Sequence, residues 1–322
     1  MARTRWFQIL RPLTPRARLV LGFGAFALPL LLWSLVSYVP AIWHPQIMIT
    51  DPGSVSYLDL GAHMPRADFD SEVTQARAER RAAPRGVPAN PIYLPTPGQV
   101  LVAFYTSFRT PPATRDGQWL YQSLWHSIQI IFWGFVISSA IGVPLGVLCG
   151  AYSSIARLSE PFVEFFRYLP APAFGALAVA ILGIYDGPKI AVIVIGTFFQ
   201  QVLIIANTTR KLDPALLEAA LTLGTRNRQL LTRVVIPGIL PDLYRDQRIL
   251  LGWAWTYLIV AELIGTTSGI TWFITQQARY QHFPSVYAAI AMIGILGLGT
   301  DMLLALLGRR LFPWDRVLVK TA

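Results

Sequence analysis

Long apolar segments separated by short polar segments rich in arginine make up most of this chain. The first apolar segment, residues 19–43, contains no charged residue, and at a rise of about 1.5 Å per residue it can cross a hydrocarbon core of about 30 Å. Five more apolar segments follow, at about residues 122–150, 167–185, 190–209, 249–267 and 284–308. The pattern therefore predicts an all-α membrane protein with about six transmembrane helices.

The positions of the arginines predict the orientation of these helices. Five precede the first span: Arg3, Arg5, Arg11, Arg16 and Arg18. Positive residues stay on the cytoplasmic side, so residues 1–18 are predicted to be a cytoplasmic tail, and the arginines after the last span place the other terminus there too. A cleaved signal peptide is the alternative, but the first apolar run exceeds the usual core of about 7–15 residues and no small-x-small cleavage site follows it.

Residues 44–93 differ from the rest of the chain. They contain six spaced prolines and a charged middle, residues 66–85, in which a short helix can form. The predicted topology puts this insert outside the cytoplasm, and its balanced charges agree with that location. It has too few apolar residues for an independent domain of any size. The remaining residues, 94–322, are predicted to form a membrane core with five further spans.

The second predicted span carries a small residue at every fourth position: Gly134, Ser138, Gly142, Gly146 and Gly150. This spacing places the small side chains on one face, where another helix can approach closely. A lipid-facing helix that is merely rich in glycine is the alternative. The regular spacing favours the packed interface.

Polar and proline residues inside the spans are candidates for a pathway or a gate. Pro170 and Pro172 open the third span and predict a broken helix that faces the protein interior. Further polar candidates in the fourth span are Gln200, Gln201, Asn207 and Thr208.

The overall composition excludes several classes of protein. Of the 322 residues 54% are apolar and only 14% are charged, which is far from the composition of a soluble domain. The net charge of +10 comes from dispersed arginines that mark topology, so we expect no nucleic-acid partner. One cysteine, Cys149, can form no disulfide within the chain.

One polar segment, about residues 210–248, has its own pattern. Asp213 and Pro214 are typical of a helix start, and Glu218 then lies early in that helix, where the positive end of the dipole favours a carboxylate. Gly224 follows within the same segment, and glycine inside a helix costs about 1 kcal/mol relative to alanine. A turn or a close contact is therefore expected at Gly224.

The same segment resembles the signature loop of the membrane subunit in bacterial ATP-binding-cassette (ABC) importers. Its pattern is Glu218-Ala219-Ala220, three residues, Gly224, nine residues and Val234-Val235-Ile236-Pro237, in which Val234 and Ile236 replace the usual Ile and Leu. Residues 94–100, 167–172 and 260–264 look like further blocks of the permease family for nitrate, sulfonate, taurine and bicarbonate. The resemblance runs from about residue 94 to the C-terminus. The insert at 44–93 departs from the usual pattern of the family.

The resemblance implies a type I importer permease (MetI-like) and a mechanism for the loop. Two short helices joined at Gly224 would enter a cleft on an ATPase, with Ala219 and Ala220 offering a low surface. Arg226 and Arg228 would reach acidic residues, Leu221, Leu230 and Leu231 would make apolar contacts, and force would pass through Pro237 and Pro241 into the fifth span.

The resemblance also implies partners in a bacterial inner membrane: a second permease copy, identical or paralogous, a dimer of cytoplasmic ABC ATPases, and a periplasmic substrate-binding protein. No Walker-type segment, Gly-x-Ser-x-Gly or His-Glu-x-x-His occurs, and the four histidines are scattered. We therefore expect no enzyme activity, cofactor or metal in this chain, with ATP and magnesium bound by the partner.

The resemblance implies import of a small anion such as nitrate, bicarbonate or a sulfonate. A membrane scaffold or sensor that holds an ATPase without a transport pathway is the alternative. Two carboxylates, Glu262 and Asp301, lie in or beside predicted spans. A carboxylate would repel an anion, so a hydrogen bond between helices is favoured over a gating role for Glu262, and pairing with another helix for Asp301.

Overall fold

The computed structural model describes residues 13–39, 42–111, 119–264 and 268–315 of a mainly α-helical chain. The chain divides into two compact units, residues 1–109 with 277–288 and residues 110–276 with 289–322. Three of the arginines used to predict the orientation, Arg3, Arg5 and Arg11, lie outside the described residues.

The first unit begins with helix α1, Pro15–Tyr38. Thr14 caps it, because its side-chain oxygen accepts a hydrogen bond from the Ala17 N–H, and Pro15 occupies the first turn, where its missing N–H is harmless. The helix ends at Tyr38, before the predicted end of the first span at residue 43, since Val39 has an extended backbone.

The insert folds as a small sheet with a helix. Strands β1 (Gln46–Asp51), β2 (His63–Pro65) and β3 (Arg85–Ala89) form an antiparallel sheet in the order β2-β1-β3, and α2 covers Arg66–Ala78. The sequence predicted the helix but not the strands. Ile47 and Ile49 alternate with less buried residues along β1, which is the period of a strand with one covered face.

Helix α3, Pro97–Arg109, completes the first unit together with the start of the last helix. Its first turn carries a reciprocal cap, because Thr96 Oγ1 accepts from the Gln99 N–H and Gln99 Oε1 accepts from the Thr96 N–H. Helix α1 contacts the residues just before α3, since Trp33 Nε1 donates to the carbonyl of Pro95 at 3.0 Å. The ring of Trp33 also stacks on Tyr287, with centroids 5.6 Å apart.

Two long helices, α4 (Leu120–Ala151) and α7 (Asp186–Arg210), form the centre of the second unit. A Cβ atom on Gly134 would lie 2.7 Å from Ile193 Cγ2, and one on Gly146 would lie 2.8 Å from Ile205 Cβ. The contacts advance by the same number of residues in both helices, so the two helices run in the same direction. The stripe of small residues on α4 thus lies directly against α7.

The third predicted span, residues 167–185, is not a single helix. Helix α5 (Ser153–Arg167) is followed by a 3₁₀ turn, Ala171–Phe174, and by α6 (Gly175–Leu182), with a bend of 88° across the break. Helix α6 is about 12 Å long, too short to cross a bilayer alone. The break falls at Pro170 and Pro172, because proline supplies no N–H and disfavours helix at the preceding residue.

A polar connection leads from α7 to the last long helices. Helices α8 (Pro214–Thr222) and α9 (Asn227–Leu230) are followed by a π-helical turn, Leu231–Val235. The remaining helices are α10 (Ile236–Ile264), α11 (Ile270–Arg279) and α12 (Phe283–Leu311). The sequence placed the start of the fifth span at residue 249, whereas α10 starts at Ile236. It did not predict α11, and residues 265–267 lie outside the described chain.

By length and composition, four described helices can cross a membrane, namely α1, α4, α7 and α12, and the bent pair α5 and α6 is a fifth candidate. Helix α10 is 29 residues long, but its first half contains Asp242, Arg245, Asp246 and Arg248. The count of six spans therefore stays a prediction that depends on α10.

Candidate functional site: an exposed coupling segment and a polar membrane core

The segment Asp213–Pro237, here called the coupling segment, begins with a capped helix. Asp213 Oδ1 accepts a hydrogen bond from the Ala215 N–H at 3.0 Å, and Pro214 occupies the first helical position. This is the helix start that the sequence predicts. Glu218, Ala219 and Ala220 then lie in α8, which has no buried residue.

Gly224 ends α8 in a left-handed conformation with φ of +77°. The Gly224 N–H donates to the Leu221 carbonyl at 2.9 Å, and the Thr225 N–H donates to the Ala220 carbonyl at 3.2 Å. This pair of bonds is a Schellman motif, in which glycine satisfies the last carbonyls of a helix without steric strain. No atom lies within 4 Å of the position of a Cβ on Gly224, so the turn, and not a close contact, explains the glycine.

The second half of the segment passes directly into a long helix. Gln229 Oε1 accepts from the Arg226 N–H at 3.3 Å at the start of α9, and the π-helical turn joins α9 to α10. A Cβ on Gly238 would lie 2.8 Å from Leu212 Cδ1, so the first turn of α10 packs closely against the connection between α7 and α8.

Most of the coupling segment is exposed. Of the residues that the resemblance marks, Glu218, Ala219, Gly224, Arg226, Arg228 and Pro237 are exposed and Ala220 is partly buried. Leu221 and Leu223 are 52% and 88% exposed. Leu230 and Leu231, expected as apolar contacts for a partner, are partly buried and line an open cavity of about 450 Å³. The exposed leucines make the segment an apolar surface flanked by arginines.

The carboxylate of Glu262, in the last turn of α10, is fully buried and hydrogen-bonded. It accepts from the Ser127 hydroxyl and, at 2.8 Å, from the Thr271 N–H in the first turn of α11. Ser127 Oγ accepts in turn from the Ile270 N–H at 2.9 Å. Gly269 has φ of +103°, and a Cβ there would lie 2.3 Å from Glu262 Oε1. These residues, called the Glu262 cluster below, join α4, α10 and α11 and agree with a structural hydrogen bond for Glu262.

A second polar group lies beside the Glu262 cluster and includes residues that sequence reasoning missed. Asp186 Oδ1 is 3.1 Å from Lys189 Nζ and 3.0 Å from His126 Nε2. Ser268 Oγ is 3.2 Å from the same Nζ and 3.0 Å from the same Nε2. The Lys189 side chain is 1% exposed and that of Asp186 is 45% exposed. A lysine and an aspartate three residues apart at the start of an apolar run were the signal that could have found this group.

The amide of Gln201, a candidate for the pathway, links three helices. It is fully buried and accepts from the Ser138 hydroxyl at 2.7 Å. Its Nε2 donates to Ser139 Oγ at 2.8 Å and to Gln247 Oε1 at 3.1 Å. Gln201 therefore ties α7 to α4 and α10.

The other candidates for a pathway lie in different surroundings. Pro170 is exposed and Pro172 partly buried at the break before α6, and Gln200 is partly buried on α7. Asp301 is paired with Arg248 across α12 and α10, with N–O distances of 3.0 and 2.9 Å. The pairing across helices that the sequence favours for Asp301 is present. Within the described chain, Gln201 and Thr208 of α7 contact polar residues of α10, whereas Glu262 contacts α4 and α11.

The family described as binding-protein-dependent transport system inner membrane component matches residues 142–313, more than half of the chain. A probable ABC transporter permease protein of Brucella abortus (strain 2308) is 36% identical over 200 residues, which cover 62% of this chain and 80% of the relative. The taurine transport system permease protein TauC of Escherichia coli (strain K12) is 30% identical over 225 residues, covering 70% and 81%.

A solved structure shows the same fold. An inward-facing form of the MetNI methionine ABC transporter has a TM-score of 0.53 at 20% identity, covering 62% of this chain and 97% of the matched chain. The type I importer fold that the signature loop predicts is therefore confirmed. The chain belongs to the family of inner-membrane components of binding-protein-dependent transport systems, the permease subunits of ABC importers.

Proposed function

We propose that this permease subunit carries a small anion, such as nitrate, bicarbonate or a sulfonate, and that it docks an ABC ATPase through the coupling segment. The observation that carries the docking proposal is the geometry of that segment. Two short exposed helices, α8 and α9, meet at Gly224. The π-helical turn then joins α9 to α10.

Exposure and chemistry both suit a protein partner. Leu216, Leu221 and Leu223 are half or more exposed, and Arg226 and Arg228 lie beside them. Apolar side chains flanked by arginines are typical of residues that anchor interfaces. Small side chains at Ala219 and Ala220 let a partner surface approach the backbone of α8.

The partners of the proposed complex follow from the family. They are a second permease copy, identical or paralogous, a dimer of ATPase subunits on the cytoplasmic side, and a periplasmic substrate-binding protein. ATP and magnesium bind the ATPase subunits. The permease lies in the bacterial inner membrane with both termini in the cytoplasm, an arrangement that the arginines of the coupling segment and Arg309 and Arg310 support.

The proposed ligand class rests on relatives and on one buried charge. Relatives with printed functions include permeases for taurine, for aliphatic sulfonates and, in Synechococcus elongatus at 27% identity, for bicarbonate. Sulfonates and bicarbonate are small anions. Lys189, buried among polar groups of the membrane core, is a charge of the sign that an anion pathway requires.

The insert is proposed to lie on the external side. Its sheet belongs to the same compact unit as the end of α1 and residues 277–288, which connect α11 to α12. In the proposed topology both of those connections are outside. The chain has one cysteine, Cys149, which is buried, so single cysteines can report location. In intact cells an impermeant thiol reagent should label Ser56→Cys in the insert but not Arg228→Cys in the coupling segment.

Transport by the reconstituted complex tests the proposed function. The permease, its ATPase and its binding protein are placed in proteoliposomes, and uptake of labelled taurine, an alkanesulfonate, bicarbonate and nitrate is measured. We expect ATP-dependent uptake of at least one of these anions, with ATP hydrolysis stimulated by the loaded binding protein. A complex that assembles and hydrolyses ATP but moves none of these anions would contradict the ligand class. Assembly without any ligand-stimulated hydrolysis favours the scaffold or sensor.

A further inference from the structure

Four polar residues in the first half of α10, Tyr244, Asp246, Gln247 and Arg248, contact three other helices. We call them the polar collar. Tyr244 Oη donates to the Leu304 carbonyl of α12 at 2.7 Å. Arg248 forms a bidentate ion pair with Asp301, which also lies in α12. This ion pair fixes both the distance and the relative orientation of the Arg248 and Asp301 side chains, because its two parallel N–H···O bonds define a plane.

The collar contacts helices on the opposite side of α10 as well. The Thr208 hydroxyl, near the end of α7, donates to Asp246 Oδ2 at 2.5 Å. Gln247 Oε1 accepts from Ser139 of α4 at 3.2 Å and from Gln201 of α7 at 3.1 Å. Successive residues turn by about 100° around a helix, so residues 244 and 248 share one face while 246 and 247 point elsewhere. The collar therefore joins α10 to α4, α7 and α12.

The position of the collar relates it to the coupling segment. The segment follows α7, which ends at Arg210, and continues into α10 at Ile236. The bond between Thr208 and Asp246 joins the end of α7 to a point about 15 Å along α10. The collar begins about 12 Å along α10 from its first residue. Coupling-segment helix α8 has no buried residue of its own, so α7 and α10 hold it to the membrane core.

We propose that the polar collar transmits movement of the coupling segment to α4, α7 and α12, so that its members are positioning residues for the coupling of ATP hydrolysis to transport. A docked ATPase displaces α8 and α9, and α10 moves with them. Apolar contacts alone would let α10 slide past its neighbours. The collar makes such sliding break the hydrogen bonds of Tyr244, Asp246 and Gln247 and the ion pair between Arg248 and Asp301.

This proposal rests on the docking role proposed for the coupling segment, and its first test needs no transported ligand. A Cys149→Ser background carries Leu263→Cys, an exposed position at the far end of α10, or Leu223→Cys in the coupling segment. Thiol labelling of the full complex with its ATPase is measured without nucleotide and after trapping with ATP and vanadate. We expect trapping to change the labelling rate of Leu263→Cys several-fold.

Collar variants should remove that response while the ATPase stays bound. The test set is Gln247→Leu, Arg248→Asp, Asp301→Arg and the double variant Arg248→Asp with Asp301→Arg. Thr256→Val is the matched control, because Thr256 bonds within α10 to the Trp253 carbonyl. In each single variant, including Asp301→Arg, the docked ATPase should still protect Leu223→Cys from thiol labelling. Trapping with ATP and vanadate should no longer change the labelling rate of Leu263→Cys. The double variant should regain at least half of it, and Thr256→Val should retain all of it.

The second measurement is the number of anions transported per ATP hydrolysed, corrected for the amount of assembled complex. Single collar variants should lower this ratio about tenfold, and the charge-swapped double variant should recover it. A residue that only stabilises the fold would lower the amount of complex and leave the ratio unchanged. An unchanged ratio, an unchanged Leu263→Cys response in the variants, or no response in the wild type overturns the collar proposal. Absence of anion uptake by a wild-type complex that does show the response contradicts the ligand class instead.

Discussion

The coupling segment and the Glu262 cluster are held in shape by opposite means. In the coupling segment each capping bond joins residues no more than five positions apart, from Asp213 and Ala215 to Ala220 and Thr225. In the Glu262 cluster, Ser127 bonds to residues 135 and 143 positions away. The first is shaped by its own sequence, whereas the second exists only when α4, α10 and α11 have come together.

This contrast separates residues that docking of a partner requires from residues that folding requires. A locally capped, exposed segment can change its contacts with a partner while the rest of the chain stays folded. A buried cluster whose members are far apart in sequence cannot lose one member without leaving polar groups unpaired in an apolar interior. Changes in the core should therefore affect folding, and changes in the coupling segment should affect docking.

The largest effect is expected from Gly146→Leu in the α4–α7 contact. A Cβ at Gly146 would lie 2.8 Å from Ile205 Cβ and 2.9 Å from the Val202 carbonyl oxygen, which is backbone and cannot rotate away. Overpacking usually costs about 1–3 kcal/mol, and separation of two parallel helices should exceed that range. We expect little or no folded permease after purification in detergent.

Gly252→Leu on α10 is the matched control for that change. It also adds a leucine to a long helix, but apart from its own helix no described atom lies within 4 Å of its Cβ position. Its yield and melting temperature should match those of the wild type. Equal behaviour of the two variants would contradict the close contact between α4 and α7.

A smaller loss of stability is expected from Glu262→Ala. The change leaves the Thr271 N–H and the Ser127 hydroxyl without their acceptor in a buried site. Leaving buried partners unsatisfied costs about 1–3 kcal/mol, and more for partners of a charged group. The melting temperature of the purified permease should fall by several degrees.

Glu262→Gln tests whether acceptor geometry or charge matters in this cluster. The glutamine oxygen can still accept from the Thr271 N–H, so this variant should lose less stability than Glu262→Ala. A wild-type melting temperature for Glu262→Ala would show that the hydrogen bonds of the cluster do not stabilise the fold. A gating role for the carboxylate would then regain support.

The same contrast explains what could be predicted from sequence. The helix start at Asp213, the need for a turn at Gly224 and the apolar helices are local patterns, and the sequence predicted them. Another group is formed by four side chains in polar contact that come from three distant parts of the chain, namely His126, Asp186, Lys189 and Ser268. Periodicity and capping rules report only neighbours along the chain, so this group could not be derived from them.

Some bounds of helices and strands depend on tertiary contacts. Helix α10 starts well before residue 249 because its polar first half finds partners on α4, α7 and α12, a compensation that hydropathy cannot show. The strands of the insert were missed because its prolines and charges hid the short alternation around Ile47 and Ile49. In both cases neighbours elsewhere in the chain, and not local propensity, set the element.

In the coupling segment, Gly224→Leu should affect docking without affecting the spans. Leucine at φ of +77° is strained by about 1–2 kcal/mol, which is enough to change the angle between α8 and α9. The subunit should insert and melt like the wild type, while co-purification of the ATPase and uptake should both fall.

Gly224→Asn is the control, because asparagine tolerates the left-handed conformation better than other side chains. It should retain most of the ATPase and most of the uptake. Undiminished co-purification together with normal transport for Gly224→Leu would contradict the docking role of the segment, whereas equal losses for both variants would point to the added side chain and not to the turn.

The smallest effect is expected from Glu218→Ala. Its carboxylate is exposed in the middle of α8, beyond the first turn in which the helix dipole acts, and the cap at Asp213 remains in the variant. The bond from the Thr222 hydroxyl to the backbone carbonyl of residue 218 also remains. Assembly should therefore be nearly normal, and any larger loss must come from a contact that the carboxylate makes with the ATPase. We expect uptake in reconstituted vesicles to fall more than co-purification does. Glu218→Gln, which keeps the size but not the charge, should resemble Glu218→Ala if the charge matters. Wild-type hydrolysis and uptake in both variants would show that Glu218 is a surface residue with no part in coupling.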